Sequence, residues 1–186
     1  MKVQVLEEHG YESALLGMSL SYYRGDQPID EWWTWEKFHR AERVASKLAK
    51  RDGGHNKFLE SIQVWLLVQA SRGWWAQFDT YRVGMTKQSQ STMHTLAKRP
   101  PEDDDFDSNI SLHMVRTFQE EWNAYRQNIN RLKAALPEGY LQWRQICTNY
   151  KALRHIVHQR HSHRLGEWAE FIEQLRNELR HPQFLE

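Results

Sequence analysis

The segment Ser71–His94 reads SRGWWAQFDTYRVGMTKQSQSTMH and changes from apolar to polar halfway along. Ser71 is a good helix N-cap, and the residues after it predict a short helix to about Tyr81. Its aromatic residues are Trp74, Trp75 and Phe78. Hydroxyl, amide and cationic side chains then follow around Gly84. Such a polar run after an apolar support is either a solvated loop or a loop that binds an anion such as phosphate.

The ten residues before this segment, 61–70, predict a strand that leads into the helix. One face of the strand carries Ile62, Val64, Leu66 and Val68, and the other carries Gln63, Trp65, Leu67 and Gln69. Because both faces are largely apolar, we expect this strand to lie in the centre of a sheet.

The remaining elements follow from apolar periodicity and from turn residues. The pattern predicts a strand at 2–6, a helix at about 31–50 capped by Asp30 and ended by Gly53-Gly54, a long helix from Ser108 or Asn109 to Leu136, a helix at 149–160, and a last helix from Gly166 to about Leu179. We therefore expect an α+β fold, mostly helical with a small antiparallel or mixed sheet, as a single domain over 1–186.

The long helix carries a stripe of apolar residues with alternating spacings of three and four. The stripe consists of Val115, Phe118, Trp122, Tyr125, Ile129, Leu132 and Leu136. This heptad pattern predicts packing against another long helix or against the same helix of a symmetry mate.

Composition excludes several classes of protein. Lys and Arg number 25 and Asp and Glu 24, so the formal net charge of +1 gives no general support for nucleic-acid binding. The single cysteine, Cys147, excludes an intramolecular disulfide and fits a reducing compartment. No apolar run approaches the ~20 residues of a membrane span. The N-terminus lacks the apolar segment of a signal peptide, so we expect a soluble, cytoplasmic protein. Nine tryptophans suggest a core, a subunit interface or a flat ring ligand.

Residues Asn149, Leu153, Ile156 and Arg160 have helical spacing and share one face. An amide and a guanidinium therefore flank an apolar stripe. A buried arginine needs an anionic or carbonyl partner, which is either a carboxylate of the protein or a ligand.

Other polar groups favour structural roles over chemistry. Four histidines lie close in sequence, at His155, His158, His161 and His163, without the cysteines or spacing of a zinc site. The acidic run at 102–107 is predicted to be a solvated loop, and Cys147 a buried, inert thiol. We predict no metal site.

The order of these pieces resembles the flavin-dependent thymidylate synthase family. The stretch 54–60, GHNKFLE, is similar to the family's histidine-containing turn, and Thr80-Tyr81-Arg82 follows at the spacing of the Arg-His-Arg signature. Leu136-Pro137, the pair Asn149 and Arg160, and Glu167-Trp168 match later pieces. The resemblance covers about Gly54 to Glu170.

The signature departs from the family's pattern where the nucleotide phosphate is expected to bind. Of the Arg-His-Arg triplet only Arg82 is kept, and Gln90 stands where the family has serine. The phosphate-binding arginines of the family are replaced by Thr92 and Lys133. Arg→Lys keeps a point charge but loses the bidentate fork. Lys87 and His94 are candidate replacements.

The resemblance implies a flavoenzyme that transfers a one-carbon unit from methylenetetrahydrofolate to C5 of dUMP, with FAD as cofactor and NADPH as reductant. It implies a homotetramer whose sites are shared between subunits. The implied cofactor-binding residues are His55, Glu60, Arg82, Asn149 and His155. The implied substrate-binding residues are Gln88, Ser89, Gln90, Ser91, Lys133 and Arg160, with Arg160 also acting as the catalytic residue on the pyrimidine edge.

Two alternatives keep the fold and change the function. The altered signature suits hydroxymethylation of dUMP or action on dCMP, and the lost arginines suit a non-catalytic homologue that no longer binds flavin. A nucleic-acid module is disfavoured, because the basic segment 154–164 has core-helix spacing and no stacking platform. The short chain and degenerate signature suit a phage-encoded member.

Overall fold

The computed structural model describes residues 1–186. The strands are β1 (Lys2–His9), β2 (Gln63–Ser71), β3 (Thr86–Ser89) and β4 (Leu141–Asn149). The helices are α1 (Tyr11–Ser19), α2 (Ile29–Trp32), α3 (Trp35–Leu48), α4 (Arg72–Phe78), α5 (Thr92–Thr95), α6 (Leu112–Tyr125), α7 (Ile129–Ala135), α8 (Tyr150–Arg160) and α9 (Gly166–Glu178). Short 3₁₀ turns lie at Leu20–Tyr22, Lys57–Ser61, Asp103–Asp105 and Pro182–Leu185. No helix combines the length and the apolar character needed to cross a membrane.

The four strands form one antiparallel sheet in the order β1-β2-β4-β3. The predicted central position of β2 is confirmed, because β2 pairs with β1 on one side and with β4 on the other. The face of the strand that carries Ile62, Val64, Leu66 and Val68 is fully buried. The mostly helical α+β class is therefore correct, and the sheet is antiparallel.

The main core lies between this face of the sheet and the helices α1, α3, α4, α8 and α9. Helix α4 contributes Trp74, Trp75 and Phe78, each completely buried. The predicted cap is confirmed, because the Ser71 hydroxyl accepts a hydrogen bond from the Trp74 amide at 3.1 Å. The helix ends at Phe78, three residues before the predicted end.

The predicted helix at 31–50 is wrong at its start. Asp30 lies inside the short helix α2, and the chain then becomes extended at Thr34. The Thr34 hydroxyl caps α3 by accepting from the Lys37 amide at 3.4 Å. The apolar pattern alone predicts a continuous helix here. The extended, β-branched residue Thr34 interrupts it, and its hydroxyl caps a new helix. Helix α3 also ends at Leu48, ahead of the two glycines.

The predicted long helix is two helices, α6 and α7. The break lies at Arg126–Asn128, where the Asn128 side chain accepts from the Arg131 amide at 3.2 Å and caps α7. The two helices pack against each other. Most residues of the predicted stripe form a second apolar cluster together with Leu96, Phe106 and Tyr140. An asparagine cap therefore interrupts a pattern that on spacing alone continues through it.

The sequence analysis missed two strands. β4 was expected to be a short connection before a helix from Asn149, and β3 was expected to be part of a polar loop. Polar and cationic residues such as Gln142, Arg144 and Gln145 conceal the strand signal of β4. Pairing with β2 on one side and β3 on the other fixes β4 as a strand, which a local pattern does not reveal.

Candidate functional site

A cleft of about 490 Å³ lies where β4 passes into α8 and faces the turn after α4. Its polar walls are Glu60, Arg82, Asn149, Lys151 and His155. Its apolar walls are Tyr81, Val83, Met85 and Ala152. We call this the Arg82 cleft. It brings together four of the five predicted cofactor-binding residues, from three separate segments of the chain.

The junction of β4 and α8 positions the floor of the Arg82 cleft. Asn149 is extended and caps α8, because its side-chain oxygen accepts from the Ala152 amide at 2.9 Å. Gly84 lies against this cap with a φ of +68°, and a β-carbon there would lie 3.0 Å from the Asn149 side-chain nitrogen. The Thr148 hydroxyl holds the same turn by donating to the Gly84 carbonyl at 3.0 Å. Asn149 therefore precedes the helix instead of sharing its face as predicted.

The first turn of α8 presents backbone N–H groups and two nearby cations to the Arg82 cleft. A helix N-terminus carries partial positive charge and favours anions. Arg82 is exposed and makes no hydrogen bond or ion pair within the chain. Lys151 donates to the side-chain oxygen of Asn56 and lies 3.9 Å from Asp52. Arg82, Lys151 and the N-terminus of α8 are thus the groups of this cleft that suit a phosphate, whereas Glu60 is its one carboxylate.

Lys151 also lines the Arg82 cleft, and it is not among the site residues predicted from the sequence. Its position two residues after Asn149, in the first turn of a helix, was the available signal. That signal was hidden because the strand β4 was not recognised, so the helix start was placed one residue early.

Arg160 lies at the other end of α8 and is not among the residues that line the Arg82 cleft. Its Nε donates to the Tyr81 hydroxyl at 2.7 Å, and its guanidinium lies 4.6 Å from the centre of the Trp168 ring. No carboxylate pairs with it. Aromatic faces and one hydroxyl therefore stabilise the cation, and its terminal nitrogens donate no hydrogen bond within the chain.

His55 lies outside the Arg82 cleft, in an adjoining cleft of about 600 Å³. We call this the His55 cleft; Ser13, Ser21, Lys57 and Ser61 also line it. Glu60 borders both clefts, so the two adjoin. The structure therefore places all five predicted cofactor-binding residues in two neighbouring clefts.

The predicted substrate-binding residues do not line the Arg82 cleft. Gln88 and Ser89 are exposed on the edge strand β3, and Ser91 directly precedes α5. Gln90 is tied to β4, because its side-chain oxygen accepts from the Trp143 amide at 3.3 Å. Lys133 is exposed on α7, in the second apolar unit.

Beside β3, two cations share the carboxylate of Asp79. Lys87 lies 3.0 Å and Arg144 2.9 Å from its oxygens. Burial raises the pKa of Asp79, but the hydrogen bonds and charges of Arg144 and Lys87 outweigh burial and lower it. Lys87 is therefore already paired within the chain.

The structure contains no group of three or more histidine, cysteine, aspartate or glutamate side chains placed to bind a metal. The histidines after α8 make local contacts instead. His161 donates to the carbonyl of His158 at 2.9 Å, and His163 accepts from the Leu165 amide at 3.1 Å. In the acidic segment, Asp105 pairs with Arg99 at 2.5 Å.

The fold is similar to those of two solved proteins, one in complex with dUMP and the other with its 5-bromo derivative. The flavin-dependent thymidylate synthase ThyX from Helicobacter pylori, complexed with FAD and dUMP, superposes with a TM-score of 0.81 over 100% of this chain and 98% of that chain, at 14% identity. The UMP/dUMP methylase PolB from Streptomyces cacaoi, bound with 5-Br dUMP, has a TM-score of 0.67 over 95% of this chain and 88% of that chain, at 14% identity. A comparison with curated proteins gave no match.

Sequence identities of 14% show the fold but not the family. A match to a family model shows the family. The model described as thymidylate synthase complementing protein matches residues 12–182, which include both clefts and Arg160. The chain therefore belongs to the thymidylate synthase complementing protein family.

Proposed function

We propose that this chain is a flavin-dependent enzyme that transfers a one-carbon unit from methylenetetrahydrofolate to C5 of dUMP, with NADPH as reductant. The observation that carries the proposal is the Arg82 cleft, which gathers Glu60, Arg82, Asn149 and His155 in a chain of this family. A solved structure of the same fold is complexed with FAD and dUMP. We place the activity in the cytoplasm.

The residues of the Arg82 cleft fit a flavin nucleotide. Its cations and the α8 N-terminus suit phosphates, and the side chains of Tyr81, Met85 and Ala152 suit a ring system. In this proposal Arg82 and Lys151 hold the phosphates, and Asn149 and His155 supply neutral polar contacts. Glu60 and His55 hold the end of the cofactor that reaches into the His55 cleft.

FAD, when bound, supplies the electron-transfer chemistry that the side chains of this site do not provide. The protein binds, orients and shields the reactants. The one cysteine, Cys147, is not needed as a nucleophile.

Arg160 is the residue that we propose for the pyrimidine edge. Its terminal nitrogens are free to donate, and stacking on Trp168 holds the fork in one plane. Two carbonyl oxygens of a uracil present acceptors that such donors suit. The aromatic support also keeps the guanidinium available, since no carboxylate competes for it.

The phosphate of the substrate requires residues outside the Arg82 cleft. We propose that Gln88, Ser89, Gln90 and Ser91 of one subunit bind it together with Lys133 of another, in a homotetramer. This proposal is supported by their separation from the cofactor residues within one chain. Hydroxyl, amide and ammonium groups are suited to a monoester phosphate.

The first test is the visible absorption spectrum of the purified protein, before and after addition of FAD and then dUMP. We expect a flavin band that co-elutes with the protein and shifts when dUMP binds. The variant Arg82→Gln should weaken FAD binding, whereas Arg116→Gln, which removes an exposed arginine of α6, should not. A protein that stays colourless at high FAD and dUMP concentration would support a non-catalytic homologue instead.

A second candidate keeps the chemistry and changes the nucleotide or the product. The altered phosphate signature favours it, together with the similarity of the fold to a UMP/dUMP methylase. Incubation with labelled methylenetetrahydrofolate and each of dUMP, UMP and dCMP, followed by separation of the products, distinguishes methyl transfer from hydroxymethyl transfer on each base.

A further inference from the structure

A third depression, of about 440 Å³, lies between α3 and the segment formed by α1 and its 3₁₀ turn. Trp32 and His55 both line it. We call this the Trp32 groove. Residues 37, 40, 41, 44 and 48 of α3 share one helix face and form one wall. The groove thus has one helical wall, with an aromatic side chain and a histidine among its other lining residues.

The Trp32 groove combines aromatic surface with unpaired cations. Tyr22 is 83% exposed at its rim, so its ring is free to cover a ligand. The Lys37 ammonium lies 4.3 Å above the Trp32 ring and donates to the Trp32 carbonyl at 2.7 Å. Neither Lys37 nor Arg40 pairs with a carboxylate of the chain. A flat ring next to anionic groups is the chemistry that matches these walls.

The groove adjoins the candidate cofactor site. His55 lines both the Trp32 groove and the His55 cleft, and Glu60 lines both the His55 cleft and the Arg82 cleft. A ligand that meets the cofactor near His55 can therefore extend along α3 toward Lys37 and Arg40, which line the same groove as His55.

We propose that the Trp32 groove binds the p-aminobenzoyl-glutamate tail of the one-carbon carrier. That tail is a flat ring joined through an amide to a glutamate with two carboxylates, and the groove offers Trp32 and Tyr22 beside Lys37 and Arg40. The identity of the ligand rests on the proposed function, whereas the charge and the aromatic surface are properties of the groove. Additional glutamate residues on the carrier add carboxylates near the two cations and strengthen binding.

The test is calorimetric titration of the full-length protein, with FAD and dUMP present, using 5-formyltetrahydrofolate and its triglutamate. The double variant Lys37→Gln, Arg40→Gln should weaken binding of the triglutamate by roughly tenfold or more and leave the affinities for FAD and dUMP unchanged. The control is Arg43→Gln, Lys47→Gln, which removes two exposed cations of the same helix that do not line the groove. The control should bind the folate like the unaltered chain.

Different failures separate this inference from the proposed function. Equal folate affinities of the two double variants would overturn the groove assignment. If the variant Lys37→Gln, Arg40→Gln lost affinity only for NADPH, these two cations would be assigned to the reductant. That result would overturn the groove assignment as well. A chain that binds FAD and dUMP but no folate refutes both the groove and the proposed one-carbon transfer, whereas folate binding that does not depend on Lys37 and Arg40 refutes the groove alone. Folate binding that depends on Lys37 and Arg40, without any binding of FAD or dUMP, supports the groove and overturns the proposed enzyme.

Discussion

The hydroxyl of Ser71 donates a hydrogen bond to the Glu167 carboxylate, with 3.0 Å between the two oxygens. The same hydroxyl accepts from the Trp74 amide, so one side chain both caps α4 and pairs with the start of α9. Burial raises the pKa of Glu167, and the hydrogen bonds from Ser71 act in the opposite direction. Ser71 thus links the start of α4 to the start of α9.

We predict that Ser71→Ala destabilises the fold by about 2–4 kcal/mol, because it removes a helix cap and leaves a buried carboxylate with fewer donors. Ser111→Ala is the matched control. Ser111 caps α6 at 3.3 Å but is exposed and has no second partner, so its loss should cost only about 1 kcal/mol. Urea unfolding of both variants measures the difference. Equal costs would show that the bond to Glu167 contributes nothing.

Gly84 gives a second pair of variants, this time at the candidate site. Gly84→Ala should destabilise by about 1–2 kcal/mol and weaken FAD binding, because a left-handed backbone is strained and the new β-carbon meets Asn149. At Gly53 φ is +75°, and a β-carbon added there would meet nothing within 4 Å. Gly53→Ala therefore reports backbone strain alone. Binding of FAD, measured by its fluorescence, should fall only in the first variant. An equal fall of FAD binding in both variants would argue against a role of the Asn149 cap in the site.

His181 makes stability depend on pH. It is half-buried and stacks on Tyr11 at 3.8 Å, and burial lowers its pKa below the ordinary 6.5. The unfolded chain therefore binds more protons than the folded one below about pH 6.5, and stability falls as the pH drops through that value. The variant His181→Phe keeps the ring and removes the titration. We expect a smaller loss of unfolding free energy between about pH 7.5 and about pH 5.5 in this variant. His158, whose pKa burial also lowers, titrates in both proteins and cancels in the comparison.

Arg160→Ala should weaken dUMP binding by about 10–100-fold, which corresponds to one charge-assisted hydrogen bond of about 1.5–3 kcal/mol. Arg160→Lys should recover only part of that loss, because an ammonium lacks the fork. Arg164→Ala removes an exposed arginine from the following loop and serves as the control. Unchanged dUMP binding in Arg160→Ala would remove this residue from the proposed site.

The sequence predicts those elements whose signals are local. In β2 every second residue is buried, and the serine cap of α4 immediately precedes an aromatic cluster, so both were predicted close to their observed bounds. The errors arise where a polar residue overrides an apolar period, as Thr34 does before α3 and Asn128 does before α7. They also arise where a strand depends on its neighbours, as β4 does between β2 and β3.

The candidate site likewise contains residues that the sequence predicts and one that depends on the tertiary structure. The fold gathers Glu60, Arg82, Asn149 and His155, which the family resemblance names, in one cleft, and their roles stay predictions. Lys151 was missed because the start of α8 depends on where β4 ends. The roles of Gln88 to Ser91 and of Lys133 stay predictions, since within one chain these residues do not line the cleft.

The apolar interior consists of two separate clusters, and this separation affects how the fold is expected to open. One cluster of 28 buried residues fills the space under the sheet, and a separate cluster of eight holds α6 and α7 together. Because the smaller cluster has its own set of contacts, we expect α6 and α7 to open together at a lower free energy than the larger cluster. Lys133 lies on α7, so we expect its position to follow this local opening.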